Sequence, residues 1–209
     1  MRTPSSLGAA AAVLLSVNIN AQSAATGNIN GHDYVDLGLS VKWATCNVGA
    51  NKPEDYGNYY AWGDTTVVDE FTSSDRKYDF SVRARNDAAK SNWGAEWRRP
   101  RIQEFVELRD SCQWQWISIG DHQGYKITGP NGNSIFLPAA GHRCGSSQCN
   151  AGVWGCYWST GYGLSCYSTA SLEVCDMCYL LLFYEGYYHT CCVGDNKQRS
   201  IRPVTDNNQ

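Results

Sequence analysis

The chain has 209 residues, the length of one domain or slightly more. Its formal net charge is −3 and it contains no block of Lys or Arg, so the basic surface that a nucleic-acid-binding protein needs is missing, which excludes that class. The 13 Tyr and 8 Trp are many for this length, and such side chains build both cores and binding surfaces.

Residues 1–21 have the pattern of an export signal. Arg2 gives a positive start, Leu7–Val17 is an apolar run of suitable length, and Ala21 is a small residue at a cleavage point. The run is too short to cross a bilayer of about 30 Å as a helix, so no membrane span is expected. The pattern predicts a secreted or cell-surface protein, with a disordered Ala-rich N-terminus as the alternative. Residues 22–31 follow as a polar linker.

Short β-prone runs separated by Gly, Asn and Pro follow the linker, together with one clear helix. The helix is predicted from about Arg101 to Ser111, because apolar residues recur there at helical spacing after Pro100. Shorter helical turns are predicted from Pro53 and around Asp87 to Lys90. The predicted strands are 34–37, 41–48, 59–62, 156–159, 178–184, 189–193 and 200–204.

The clearest local element is a hairpin. Tyr125–Thr128 and Ser134–Leu137 are β-prone runs on either side of an Asn-Gly turn, and Pro138 ends the second run. No linker or internal repeat interrupts the chain after it. Residues 32–204 are therefore predicted to form a single domain of short mixed or antiparallel strands with one or two helices, the α+β class, and 205–209 are a tail.

Ten cysteines in an exported chain normally indicate a disulfide framework. Cys46 and Cys112 stand alone, whereas the other eight lie within residues 144–192. Cys46 and Cys112 are expected either to pair or to remain buried free thiols. Cys191 and Cys192 are adjacent, and neighbouring residues seldom pair because the geometry is strained. The sequence therefore leaves the connectivity open.

One strand near the C-terminus carries an apolar pattern on both faces. Neighbouring side chains of a strand point in opposite directions, so Leu181 and Phe183 are predicted to face the core. Leu180, Leu182 and Tyr184 then face outward as an apolar patch, which commonly marks a contact surface. The alternative is a central strand that is covered on both faces.

Large aromatic side chains dominate cores, so five Trp residues are predicted to be structural. They are Trp43, Trp62, Trp93, Trp97 and Trp158. Ser200–Val204 is also predicted to be structural, with Ile201 and Val204 packed inside. Arg202 is expected to form a buried or half-buried ion pair.

A series of phrases runs along nearly all of the chain after the linker. In order, they are Tyr34–Leu39, Trp43–Ala50, Tyr56–Gly63, Trp97–Pro100 followed by Glu104-Phe105, Phe136–Gly141, Tyr157–Ser159 and Ser200–Val204. Together they resemble the Fibrobacter succinogenes major paralogous domain, a large family of exported proteins from Bacteroidetes and Fibrobacter. The resemblance implies a C-type-lectin-like fold of the subtype shared with the formylglycine-generating enzyme.

Residues 144–196 further resemble the hypermutated C-terminal segment of variable proteins of diversity-generating retroelements, which use this same fold. Mutagenesis of adenines in AAC or AAT codons reaches Asn, Asp, His, Tyr, Ser and Cys among others, and such residues dominate the segment. That origin would explain eight cysteines without a bridging scheme. The residues that such codons do not reach would be fixed by the template; they are Gln148, Trp154, Glu173, Met177 and Glu185. The alternative is an ordinary family member with a Tyr-rich face.

The resemblance implies a non-catalytic, receptor-like or adhesin-like protein that binds a protein or glycan on another cell or on a host surface. The predicted ligand-binding residues are Cys144, Cys149, Trp154, Cys156, Tyr162, Cys166, Leu180, Leu182, Tyr184, Tyr187, His189, Cys191, Val193, Asp195 and Asn196. No catalytic residue, metal or cofactor is predicted.

Three alternatives remain. A copper-dependent oxidase like the formylglycine-generating enzyme needs closely placed thiolates, but no stretch matches that enzyme's active-site phrase. A zinc site would combine Cys175-x-x-Cys178 with Cys191-Cys192, although the adjacent second pair is poorly spaced. A structural subunit of a surface assembly would bury the apolar face. The four histidines are scattered, and a place on polar surface loops is expected for them; they are His32, His122, His142 and His189.

Overall fold

The computed structural model describes residues 22–69, 85–164, 176–193 and 197–207. The predicted export signal, 1–21, lies outside these ranges. Within them, no helix is both long and apolar enough to cross a membrane.

The described residues form mostly antiparallel strands with two short helices, an α+β arrangement. The strands are β1 (Gly27–Ile29), β2 (His32–Val35), β3 (Val41–Ala44), β4 (Gln113–Ile119), β5 (His122–Thr128), β6 (Ser134–Pro138), β7 (His142–Cys144), β8 (Ser147–Cys149), β9 (Gly155–Leu164), β10 (Asp176–Tyr184), β11 (Tyr187–Val193) and β12 (Val204–Asp206), and the helices are α1 (Ala88–Trp93) and α2 (Ile102–Ser111). The sheets have the orders β1-β2-β3-β12, β4-β5-β6, β9-β10-β11 and β7-β8.

Both predicted helices near the middle of the chain are confirmed, and each begins at a side-chain cap. The Asp87 carboxylate accepts a hydrogen bond from the backbone N–H of Ala89 at the start of α1. At the start of α2, the backbone N–H of Arg101 donates to the Glu104 carboxylate over 2.7 Å. The helical turn predicted from Pro53 is present only as a single turn, in which the N–H of Asp55 donates to the carbonyl of Lys52 over 3.1 Å.

The predicted hairpin is confirmed as β5 and β6, which pair antiparallel. A third strand that the sequence analysis missed, β4, pairs along the other edge of β5. Several predicted strands are wrong in extent. The strand predicted over 34–37 is His32–Val35, and the strand predicted over 41–48 ends at Ala44. Within 59–62, Tyr60 makes a single bridge to Arg199, and the strand predicted over 200–204 begins at Val204, the first residue of β12.

The N-terminal boundary also differs from expectation. Gly27–Ile29, assigned to the linker, forms the edge strand β1 and pairs with β2. The backbone N–H of Ser23 donates to the carbonyl of Ser134 over 2.8 Å, which ties the start of the described chain to β6. The folded region therefore begins before residue 32.

Two groups of buried side chains form the core. Members of the first core cluster include Val35, Trp43, Phe105, Leu108, Tyr125, Ile127, Ile135, Leu137, Tyr157, Leu181 and Phe183. Members of the second core cluster include Val48, Tyr60, Trp62, Ala88, Trp93, Trp97, Trp158, Cys178, Leu180 and Ile201. The β9-β10-β11 sheet supplies side chains to both clusters, so it is covered on both faces over part of its length. The burial of all five predicted core Trp residues is confirmed.

The end of the chain packs as predicted except for one pairing. Ile201 and Val204 are buried. Arg202 is also fully buried, but the predicted ion pair is wrong, because its hydrogen-bond partners among the described residues are neutral oxygens. The side-chain amide oxygen of Asn47 lies 2.8 Å from Nε, and the carbonyl of Phe136 lies 3.0 Å from Nη2.

Candidate functional site

The β10–β11 hairpin carries most of the predicted ligand-binding residues that the structure describes. Its register places Tyr184 opposite Tyr187, Leu182 opposite His189, and Leu180 opposite Cys191. Directly opposed residues of an antiparallel pair lie on the same face of the sheet, and so do alternate residues of one strand. The predicted residues of both strands therefore share one face.

The opposite face of the hairpin packs into the first core cluster, as predicted. Leu181 and Phe183 are fully buried. The Phe183 ring stacks on Tyr157 with 5.8 Å between ring centroids, and Trp114 approaches it edge-on at 6.2 Å. These contacts fix which face of the hairpin points outward.

The predicted outward face is not exposed along its whole length, and for two residues the prediction is wrong. Leu180 is only 1% exposed, because it packs in the second core cluster beside Trp158. Cys156, opposite Leu182 on β9, is also buried. Three further predicted residues are half-buried against the second core cluster: Leu182, Cys191 and Val193. This part of the face is covered, as the alternative interpretation of the strand required.

The exposed part of the face lies at the hairpin turn and consists of aromatic rings. Tyr184 and Tyr187 stack with 4.8 Å between centroids and 15° between planes. Trp154 lies 6.4 Å from Tyr184, and His189 lies 6.3 Å from Tyr187. Trp154, Tyr184 and Tyr187 are 38%, 39% and 40% exposed. We call these four residues the aromatic strip.

The turn that carries the strip is stabilised by hydrogen bonds to the Tyr125 side chain. The Tyr125 hydroxyl donates to the carbonyl of Tyr184 over 3.1 Å and accepts from the N–H of Gly186 over 2.9 Å. Burial raises the pKa of Tyr125, which favours its protonated, donating form. Gly186 has φ of +78°, a conformation that favours glycine. The stacked tyrosines on either side of the turn are thereby held in place.

A second group of predicted residues lies apart from the strip, on the β7–β8 hairpin. Cys144 and Cys149 lie beside His142, and the ligand atoms of the three residues are all within 4.8 Å of one another. The expected place of the four histidines on surface loops is wrong, since His32, His122, His142 and His189 all lie on strands, and His142 is also buried. The Lys197 ammonium nitrogen lies 3.1 Å from the imidazole Nε2.

Sequence reasoning missed His142, although its spacing offered a signal. The pattern His-x-Cys followed by x4-Cys, over residues 142–149, places three metal-binding side chains on two short strands. Burial, with the nearby charges of Lys197 and Arg199, lowers the pKa of His142 to about 4. A hydrogen bond with Cys144 raises the pKa of the Cys149 thiol.

Six of the described cysteines are free thiols: Cys46, Cys112, Cys144, Cys149, Cys156 and Cys191. Cys46 and Cys112 are therefore unpaired in the structure, and burial raises the pKa of Cys112 to about 11. Cys191 and Cys192 point to opposite faces of β11, as neighbouring strand residues must. The zinc set considered from the sequence cannot use both of them from one side, and Cys175 lies outside the described residues.

The side chains of the remaining predicted ligand-binding residues are not described by the structure. Tyr162 lies on β9, but its side chain is outside the described part. Cys166, Asp195 and Asn196 also lie outside the described residues.

Comparisons with family models, with curated proteins and with solved structures find no significant match to this chain.

Proposed function

We propose that this chain is a non-catalytic ligand-binding protein and that the aromatic strip is its binding surface. The observation that carries the proposal is the run of four neighbouring rings on one face of the β10–β11 turn: Trp154, Tyr184, Tyr187 and His189. Three of them belong to the small set of large apolar side chains exposed in the described part of the chain.

The chemistry of the strip suits a ligand with a flat apolar face. Tyr and Trp supply a large contact area at low entropic cost, because each has only two side-chain torsions. The stacking of Tyr184 on Tyr187 and the hydrogen bonds of Tyr125 reduce that cost further. Such rings bind the apolar face of a pyranose sugar or a protein hot spot, so the proposed ligand is a protein or glycan on another cell or host surface.

The proposal includes a C-type-lectin-like fold and a variable segment over 144–196, as in variable proteins of diversity-generating retroelements. Two observations support the division between framework and variable surface. All strip residues fall inside 144–196, whereas most of the buried framework precedes it. In β10, buried Leu181 and Phe183 alternate with half-buried Leu182 and exposed Tyr184, so exposed positions can change while inner ones stay.

The variable character is tested in the genome. A reverse transcriptase gene beside a near-copy of the 3′ end of this gene, differing at adenines, is the expected finding. Codons for Tyr184, Tyr187 and His189 would align with AAC or AAT in that copy. A copy without differences at these codons would contradict the proposal for the strip.

Binding is tested with the fluorescently labelled full chain and intact cells from a mixed bacterial community and a host epithelium, counted by flow cytometry. The triple variant Trp154→Ala, Tyr184→Ala, Tyr187→Ala is expected to lose binding while its melting temperature changes little. The matched control is Val67→Ala, since Val67 is 43% exposed but lies outside the strip. Equal binding by the triple variant and the original chain would refute the strip as the binding surface.

Two treatments of the cells separate the ligand classes. Periodate oxidises the vicinal diols of glycans, and protease removes surface proteins. Loss of binding after periodate alone assigns a glycan ligand, and loss after protease alone assigns a protein ligand.

Export is tested by locating the protein in fractionated cells, with the culture medium or cell surface as the expected place.

A further inference from the structure

The β7–β8 hairpin places three metal-binding side chains on one face. His142 pairs with Cys149, and Cys144 pairs with Ser147, so the two Cys and the His share a face of the hairpin. The ligand atoms of the three residues lie within 4.8 Å of one another. We propose that His142, Cys144 and Cys149 form a zinc-binding site, which goes beyond the proposed ligand surface and does not depend on it.

The distances between the three ligand atoms suit zinc after a small movement of the side chains. Zinc lies about 2.3 Å from a thiolate sulfur and about 2.0–2.1 Å from an imidazole nitrogen, so two ligands of a tetrahedral site are about 3.3–3.8 Å apart. The three atoms are thus within about 1.5 Å of the separations that zinc requires. Side-chain torsions of Cys144 and Cys149, both only half-buried, supply a shift of this size.

The backbone of the hairpin is fixed by residues on its other face. Gln148 donates from Nε2 to the Tyr59 hydroxyl over 2.6 Å. Arg143 donates from its guanidinium to the carbonyl of Asp69 over 3.1 Å, and its backbone exchanges hydrogen bonds with Gln198. A metal site binds tightly when its ligands stand on a scaffold that is already ordered.

The ligand types select a soft or borderline ion rather than calcium or magnesium, which prefer oxygen ligands. Two thiolates would balance the charge of Zn²⁺, and their formation releases two protons to the buffer as the ion binds. Three protein ligands leave a fourth position for water or for a donor atom of a ligand. Of the strip residues, Trp154 lies 6.5 Å from the His142 ring, measured between ring centroids.

Two neighbouring positive charges, those of Lys197 and Arg199, oppose the ion. The Lys197 ammonium lies 3.1 Å from Nε2 of His142. A divalent cation at the three ligands would be repelled by this charge unless the lysine side chain moves aside. Lys197→Gln is therefore expected to strengthen zinc binding, a result that a purely structural cluster or a disulfide would not give.

The test uses the purified full chain, reduced and stripped of metal with a chelator. Titration with Co²⁺, a spectroscopic substitute for zinc, is expected to give sulfur-to-cobalt charge-transfer absorption at one ion per chain, and added Zn²⁺ should displace the cobalt. The variants Cys144→Ser and Cys149→Ser should each weaken binding by more than about tenfold, since even an outer partner of a metal ligand is worth about 10–100-fold. His142→Gln should do the same.

Controls separate this site from the other thiols. Cys112→Ser and Cys191→Ser should leave the affinity unchanged, because both residues lie outside the site. Circular dichroism of every variant checks that it is folded, and Lys197→Gln provides a test in which binding is expected to rise several-fold. Sulfur-to-cobalt charge-transfer absorption that survives in the double variant Cys144→Ser, Cys149→Ser would overturn the proposal.

Alkylation gives a second measurement. Bound zinc is expected to protect Cys144 and Cys149 from iodoacetamide, which peptide mass spectrometry would show as two unmodified sites. If both react equally fast with and without zinc, or if they form a disulfide in air despite excess zinc, the assignment is wrong.

Discussion

Arg202 shows how a buried charge can be satisfied without a carboxylate. Its guanidinium donates to the side chain of Asn47 and to the carbonyls of Ala44, Thr45 and Phe136. These oxygens come from the end of β3, the segment after it, and β6. One side chain therefore joins two sheets, and the five fixed donors of arginine match this arrangement better than the three donors of lysine.

We expect Arg202→Met to lower the free energy of unfolding by about 3 kcal/mol or more, because each buried carbonyl left without a donor costs about 1–3 kcal/mol. Urea denaturation followed by Trp fluorescence measures the effect. Arg101→Met is the control, because its side chain is 62% exposed and its ion pair with Glu104 is worth less than about 1 kcal/mol. Similar losses in the two variants would contradict the structural role of Arg202.

Leu180 and Tyr184 lie four residues apart on the same face of β10 but have opposite roles. Leu180→Ala should cost about 2–5 kcal/mol, because it leaves a cavity in the second core cluster. Tyr184→Ala should cost less than about 1 kcal/mol in stability but should weaken binding to cells. Melting temperatures and the flow-cytometry assay measure the two effects, and an undestabilised Leu180→Ala would place that side chain outside the core.

At the scale of elements, the β10–β11 hairpin depends on the neighbouring sheet. Tyr125 comes from β5, and its hydroxyl is the shared partner of the Tyr184 carbonyl and the Gly186 amide. On the inner face, Tyr188 stacks on Trp114 of β4 with 4.5 Å between centroids. The turn that carries the strip is thus held by residues more than 50 positions earlier in the chain.

Tyr125→Phe removes both hydrogen bonds and keeps the ring. We expect a loss of about 1–2 kcal/mol in stability, since two partners are left to water or unpaired, and faster amide hydrogen exchange at Gly186 and Tyr187. Exchange mass spectrometry measures the local effect. Tyr184→Phe, which alters an exposed ring, should leave exchange at the turn unchanged; an equal change in both variants would contradict the support from Tyr125.

The sequence predicted the local features of these elements well. It predicted poorly which strand faces are covered by residues distant in the chain. The spacing after Pro100 located α2, the Asn-Gly turn located β5 and β6, and alternation correctly placed Leu181 and Phe183 inside. Alternation states which residues share a face, but it does not state what lies over that face. Leu180 belongs to a buried cluster with residues such as Trp62 and Ile201, which only the complete fold brings together.

The candidate sites show the same limit. Tyr184, Tyr187 and His189 were predictable from their place around a turn, whereas Trp154 joins them only through the packing of the preceding loop. Cys144 and Cys149 were predicted as part of a single ligand face. The structure instead groups them with His142 on a separate hairpin, because β7 and β8 form a two-stranded sheet apart from the β9-β10-β11 sheet.

At the scale of the whole molecule, Tyr and Cys side chains that lose a proton only at high pH are buried in their neutral form. Tyr59 donates a hydrogen bond to the carbonyl of Ala140 and accepts one from Gln148, and burial raises its pKa to about 12. Burial also raises the pKa of Cys156 to about 11. Because these folded-state pKa values exceed those of the unfolded chain, the stabilisation is complete at lower pH and is lost as the pH rises through them.

We therefore expect the free energy of unfolding to fall between about pH 9 and pH 12, with Tyr59 contributing about 2 kcal/mol of that fall above pH 10. In Tyr59→Phe, stability at neutral pH should drop by about 1 kcal/mol through the lost hydrogen bond, but the slope above pH 10 should be shallower. Urea denaturation at each pH, with tyrosinate absorbance, measures this. An unchanged slope would show that Tyr59 does not ionise in the unfolding transition.

The alternation in β10 and β11 has a practical consequence for protein engineering. A library that randomises only positions 184, 187 and 189 changes the side chains nearest the turn and leaves Leu181, Phe183 and Tyr125 intact. Such a library samples new affinities on an unaltered framework, so selection by display would report binding rather than rescue of misfolded clones. The chain thus offers a scaffold for synthetic affinity reagents.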